Sequence, residues 1–181
     1  NLLLNINMKK LFTHKIILLF LFSLAVLKVD AQEEKYITLY VYNFTKYIEW
    51  PDEYKEGDFI IDVLGHKSVY TGLKEMLEQK QRGAQNFIIN NPTEVSQINE
   101  DCHILFVGHW QSNKLQDALK KVGDKGTLVV TEKGGLLEKG AAINLVVKNQ
   151  KIAFEVKKSN ISKYDLTYST DLTSLAERVV E

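Results

Sequence analysis

Ile37, Tyr40, Val41, Phe44 and Ile48 recur at three- and four-residue spacing and so share one stripe of a helix, with Thr38, Thr45 and Glu49 on the other side. The spacing predicts a helix from about Glu33 to Glu49. Pro51 stops it, because the residue before a proline is disfavoured in the helical region. Short apolar runs then alternate with amphipathic stretches: strand Phe59 to Leu64, helix from about Val69 to Gln81, strands Phe87 to Ile89 and Cys102 to Val107, helix from about Asn113 to Val122, and strand Thr127 to Thr131. The order changes at Ala142 to Val147 and Ile152 to Val156, which flank Lys148-Asn149-Gln150-Lys151 and read as a β-hairpin. A short helix near Ser159 to Tyr164 and a last one from about Asp171 to Val180 complete the pattern. This alternation predicts an α/β fold: a single Rossmann-like domain over residues 32–181, with a mostly parallel sheet, helices on both faces and a C-terminal antiparallel hairpin. After residue 32 no Pro/Gly/Ser-rich linker and no low-complexity tract divides it.

Two stretches of the pattern resemble each other. "IIDVLGHKSVYTGLKEML" and "HILFVGHWQSNKLQDALKKV" both read strand, Gly-His, polar turn, amphipathic helix. Ligands of open α/β sheets bind beyond the carboxyl ends of the strands, where Gly65-His66 and Gly108-His109 both fall. His66 and His109 are therefore candidate residues for the rim of a small-molecule pocket. The competing reading is that the glycines relieve backbone strain at strand ends and the histidines are ordinary loop residues.

The N-terminal pattern is of another kind. Met8 precedes Lys9, Lys10 and Lys15, then the apolar run Ile16 to Leu27, then Val29-Asp30-Ala31, the layout of a secretory signal peptide cut after Ala31. Asn1 to Asn7 read as upstream residues. The apolar run falls short of the roughly 20 residues that span a bilayer, and no cysteine follows the cut to carry a lipid. Removing residues 1–31 takes four lysines and one aspartate from 23 basic and 23 acidic residues, leaving 19 against 22. That balance excludes a basic nucleic-acid-binding face as the organising feature. Cys102 is the only cysteine, so no disulfide forms within the chain and stability must come from packing.

Motifs for catalysis are missing. Neither strand-to-helix turn carries G-x-G-x-x-G or G-x-x-x-x-G-K, and no G-x-S-x-G pentad occurs. Cys102 and His103 are adjacent on an expected strand, point to opposite faces and do not share a metal ion easily. Cys102 itself reads as a small buried hydrophobe, and Glu155 as an outward, solvated residue of the hairpin. No enzyme, metal or cofactor is expected from these residues.

"LYVYNFTKYIEWP" puts five aromatics and a Trp-Pro stop into thirteen positions, 39 to 51. Its stripe is helix-to-sheet packing, while Tyr42, Tyr47 and the edge of Trp50 are expected to stay partly exposed, as interface anchors do. "YNFTKYIEWP" (Tyr42 to Pro51) resembles the opening signature of the YfiR family of exported regulators. "CHILFV" (Cys102 to Val107), "GAAINLVVKNQKIAFEV" (Gly140 to Val156) and "YSTDLTSLA" (Tyr168 to Ala176) are similar to its later blocks, in the same order.

The resemblance implies a periplasmic, non-catalytic α/β protein. Members hold an inner-membrane diguanylate cyclase in check by binding its periplasmic part, and an outer-membrane lipoprotein relieves the restraint, so that cyclic-di-GMP and biofilm formation follow envelope conditions. The family also serves other signalling enzymes, so a sensor kinase is a second candidate partner. Two departures bear on the transfer. The paired cysteines of well-studied members are reduced here to Cys102, which removes an intrachain redox switch, and the glycine pair expected before the hairpin reads Gly140-Ala141. Two functional readings follow: a regulator that contacts its partner through Tyr42, Tyr47 and Trp50 or through the C-terminal segment, and a periplasmic small-molecule sensor with His66 and His109 at its rim. The oligomeric state is open, a homodimer being the commonest form of oligomer.

Overall fold

The run Phe59–Leu64 is apolar except for Asp62, as a strand covered on both faces requires. In the computed structural model, which describes residues 33–181, this run is the inner strand β2. On one side it pairs in parallel with β4 (Gln85–Asn90), Ile61 opposite Ile89; on the other it pairs in parallel with β5 (Ile104–Val107), Ile61 opposite Ile104. Next come β6 (Leu128–Thr131) and β7 (Ile143–Lys148), both parallel, then β8 (Lys151–Lys157), antiparallel to β7. Short strands close the two edges: β3 (Gln81–Arg82) beside β4, and β10 (Arg178–Val180) parallel to β8. The eight-stranded order is β10-β8-β7-β6-β5-β2-β4-β3. Residues Lys35–Glu181 form one compact unit. No described helix is long and apolar enough to cross a membrane.

Alternation within the strands divides the interior into two cores. Phe59, Ile61 and Val63 join Ile104, Phe106, Leu145 and Phe154 on one face. There they are covered by the helical residues 33–47 (α1), through Ile37, Val41 and Phe44, and by α2 (Lys67–Leu77), through Val69, Leu73 and Leu77. Leu64, Leu105, Val107 and Val129 face the other way onto α3 (Leu115–Val122), through Leu115, Ala118 and Val122. The expected layering, mostly parallel with helices on both faces and an antiparallel hairpin near the end, is what the chain adopts.

Several elements differ from expectation, each for a local reason. Thr38 and Thr45 are buried rather than outward. α1 lies against α2 at Gly72, where an added Cβ would stand 2.8 Å from Thr38 Oγ1, and Thr45 Oγ1 donates to Tyr42 O (2.7 Å). The first helix ends at residue 47, because Ile48–Glu49 (β1) pair with Thr167–Tyr168 (β9) in a separate two-stranded sheet. α2 starts at Lys67 because the His66 ring caps it, Nδ1 accepting from Val69 N at 3.4 Å. It stops at Leu77, and Gly83, at φ +60°, then turns β3 back onto β4. The third helix opens with a 3-10 turn at His109–Lys114, and the short fourth helix is α4 (Lys158–Ser162). The last expected helix is cut short: α5 covers Thr170–Leu175 only, and Ala176 turns extended. The valines at 179 and 180 then pair with Val156 and Lys157 on the open edge of β8, where a β-branched strand is favoured over helical spacing. Residues 1–31, which carry the expected signal peptide, lie outside the described residues.

Candidate functional site

The sheet changes direction between β2 and β5, since the chain crosses to β4 on one side and returns to β5 on the other. Ligands of open α/β sheets bind at such a switch point, and the two Gly-His turns meet there. Gly108 packs so closely on Gly65 that an added Cβ would lie 2.8 Å from Gly65 O, and Gly108 N donates to Leu64 O (2.9 Å). Glu132, just after β6, joins the two turns: one carboxylate oxygen accepts from His109 N, and the other lies 3.5 Å from His66 Nε2. Gln111 lies over Gly65, where an added Cβ would stand 2.1 Å from its Cγ. The structure thus brings the two Gly-His turns together, His66 through its ring and His109 through its main-chain N–H, around a carboxylate of the same chain, with the Gln111 amide over Gly65. Sequence reading missed Glu132 and Gln111. It also missed Trp110, 86% exposed and edge-on to His109 at 5.2 Å, although a Trp in the polar turn "HWQSNK" signals it.

The aromatic end of α1 is arranged differently from expectation. Trp50 is 2% exposed, its ring 4.9 Å from Phe59 and under the Arg82 guanidinium at 5.0 Å, so it offers no edge to a partner. Tyr42 and Tyr47 are half-buried. Arg82 crosses from the β3 hairpin to finish α1, donating to Thr45 O (2.8 Å), a carbonyl that the helix end leaves without a partner, and to Ile48 O (3.2 Å) in β1. His103 lies 4.2 Å from the Phe59 ring; its Nδ1 accepts from Ile60 N (3.1 Å) and its Nε2–H donates to Tyr54 O (2.8 Å). Both ring nitrogens are used, so His103 is a structural residue, and burial pushes its pKa below the ordinary value.

A pH dependence follows. The folded state disfavours the His103 proton and the unfolded chain takes it up near pH 6.5, so this contribution to stability is complete above about 6.5 and declines below it. Denaturant midpoints should fall between pH 7 and 5, and His103→Gln should flatten that slope. An equally steep slope in the variant would assign the effect to other groups. Asp62 has the opposite sign. It accepts from Asn90 Nδ2 (2.8 Å) and Asn99 N (2.7 Å), but burial raises its pKa, so its contribution declines as pH rises above the ordinary carboxylate value.

Other expected residues are structural. Cys102 is buried, and burial pushes its thiol well above the ordinary pKa, which fits an inert hydrophobe. Glu155 is not a solvated outward group: the Arg178 guanidinium binds both its oxygens (2.8 and 3.0 Å) and holds its pKa down, which fastens β10 to β8. Among the described residues no group of three His, Cys, Asp or Glu side chains converges as a metal site.

Two clefts flank the 51–58 loop. One, of about 570 Å³, is lined by Glu53, Glu56, Asp58, Asp101, Asp124 and Asp165, with Lys125 drawn to Asp101 at 2.8 Å. The other, of about 560 Å³, lies between the end of α1 and the β3–β4 turn and is lined by Tyr42, Lys46, Lys55, Arg82 and Phe87. A third surface is apolar. Val147 (61% exposed), Leu175 (59%) and Val179 (37%) follow β8: Val147 opposite Ile152, Val179 opposite Val156, and Leu175 two residues before Glu177, whose N–H donates to Phe154 O (2.8 Å).

Comparison with known proteins adds three findings. A family model described as YfiR/HmsC-like matches residues 35–177. Among curated proteins none matches. Among solved structures, a conserved domain protein from Vibrio cholerae O1 biovar El Tor is similar at 10% identity and TM-score 0.45, over 66% of this chain and 54% of that one. A putative NADP oxidoreductase from Bacteroides fragilis is similar at 13% identity and TM-score 0.36, over 68% and 59%. The matched segments therefore span little more than half the length of those two proteins.

Proposed function

The chain belongs to the YfiR/HmsC-like family, a family of regulators of diguanylate cyclases, and from that premise we propose that it is an exported, non-catalytic regulator that restrains an inner-membrane signalling protein by binding its periplasmic part. A diguanylate cyclase is the first candidate partner and a sensor kinase the second, with an outer-membrane lipoprotein as the antagonist that draws the regulator away. The restraint is a population shift: the regulator transmits only the difference between its affinities for two states of the membrane protein.

The observation that carries the contact surface is the line of exposed apolar side chains along β8. Val147 continues the inward-facing row of Ile143 and Leu145 beyond the cover of the core, and Val179 sits beside buried Val156. Apolar side chains left open in a line are what a partner covers. This favours the C-terminal segment over the end of α1, where Trp50 is interior and Tyr42 and Tyr47 offer only part of their rings.

The test is Leu175→Asp combined with Val147→Asp in the exported protein, with cyclic-di-GMP output and partner binding as readouts and circular dichroism as the folding control. Binding should weaken at least tenfold and restraint should be lost, while Tyr47→Ala should be near neutral. A folded double variant that still regulates would remove this surface from the proposal and return attention to Tyr42 and Tyr47.

A further inference from the structure

We propose that the cleft between the end of α1 and the β3–β4 turn is a binding site for a small multivalent oxyanion of the phosphate type. Lys46 Nζ lies 4.1 Å and Lys80 Nζ 4.5 Å from the centre of the same Tyr42 ring, so both ammonium groups sit against a side chain that lines the cleft. Among the described residues neither ammonium makes an ion pair, whereas the neighbouring cations do: Lys55 with Asp52 (2.8 Å) and Arg82 with Glu49 (3.3 Å). Among the described residues Glu49 is the only carboxylate lining the cleft, and Arg82 already faces it.

The class of anion follows from which cations are free. Arg82 spends its fork on Thr45 O, Ile48 O and Glu49, so the planar, two-pronged recognition that selects carboxylates is not on offer. Two lysines are point charges that suit a compact, doubly charged group. Tyr42 has both cations against its ring, which leaves Phe87 as the apolar wall for whatever the anion is attached to. The cleft falls in the size range of small-molecule sites, roughly 300–1,000 Å³.

Charge segregation supports the same reading. Without residues 1–31 the chain is net negative, yet Lys46, Lys55 and Arg82 line this cleft and Lys80 lies against its Tyr42, while six carboxylates line the cleft across the 51–58 loop. A field of that direction admits anions on one side of the loop and repels them on the other. The site is separate from the β8 surface and from the Gly-His turns.

The experiment is an NMR titration of the exported protein with inorganic phosphate and with pyrophosphate at low salt, and in parallel co-sedimentation with phosphatidylglycerol and phosphatidylcholine vesicles. Expected are saturable shifts confined to residues 42–49 and 80–87, tighter for pyrophosphate, and a loss of affinity of tenfold or more in Lys46→Ala/Lys80→Ala with an unchanged melting temperature. Lysine-dependent binding to phosphatidylglycerol vesicles alone would support the site and identify a lipid headgroup as its source; binding of the free anions alone would support a diffusible ligand. No saturable binding in either arm, or binding that the double variant retains, would overturn the proposal. The double variant Lys148→Ala/Lys151→Ala at the hairpin tip serves as the control and should bind as the parent does.

Discussion

Phe154→Ala is expected to destabilise the protein by about 3–5 kcal/mol. The ring is 1% exposed and meets Phe44 at 5.2 Å and Tyr40 at 5.3 Å, both edge-on, so truncation empties the contact between α1 and β8. Tyr40 OH also donates to Ile152 O (3.1 Å), which ties the same helix to the same strand and limits how far α1 can settle into the space. A native domain has about 5–15 kcal/mol in hand, so the variant should reach its urea midpoint much earlier with little change in slope. A loss below about 1 kcal/mol would mean that the cavity collapses freely, and that α1 is not held as described.

The second large effect is expected at Gly108. Its backbone angles are ordinary for any residue, so conformational freedom is not the reason for glycine here. Space is: an added Cβ would lie 2.8 Å from Gly65 O and 3.1 Å from both Gly65 C and His66 Cβ. The nearest atoms are main chain and cannot rotate aside, so Gly108→Ala must push the two Gly-His turns apart at a cost of about 1–3 kcal/mol, and Gly108→Val more. The same displacement should loosen Glu132 from His109 N and His66, visible as shifted His66 ring resonances. If Gly108→Ala melts with the parent, the two turns are not in contact in solution.

Much of this arrangement was legible in the sequence. The spacing of Ile37, Val41, Phe44 and Ile48 identified the buried face of α1, and unbroken apolar runs identified the inner parallel strands. What failed depended on partners far along the chain. Val179 and Val180 fit a helical spacing until the free edge of β8 is known, and β1 and β9 are two residues each and exist only as a pair. Thr38 and Thr45 look like a solvent face because nothing local shows that Gly72 lets α2 approach. At the candidate sites, the repeat points to two Gly-His turns, and these turns meet through Gly65 and Gly108. The residue that joins the turns, Glu132, follows a third strand, β6, and carries no signature in either repeat. Trp50 reads from the sequence as a partly exposed residue because Arg82, which lies over it, is remote along the chain.

The pairing of α1 with β8 also has a consequence for how the chain acquires its structure. Tyr40 and Ile152 are 112 positions apart, and Phe154, on which the helix rests, lies two residues further on. A ribosome delivers the chain from its N-terminus at about 5–20 residues per second. The oily side of the first helix therefore waits several seconds for the strand that covers it. Long-range closure of this kind is slow, and in that interval the stripe Ile37, Val41, Phe44 is the part of the nascent protein that most needs a holding chaperone.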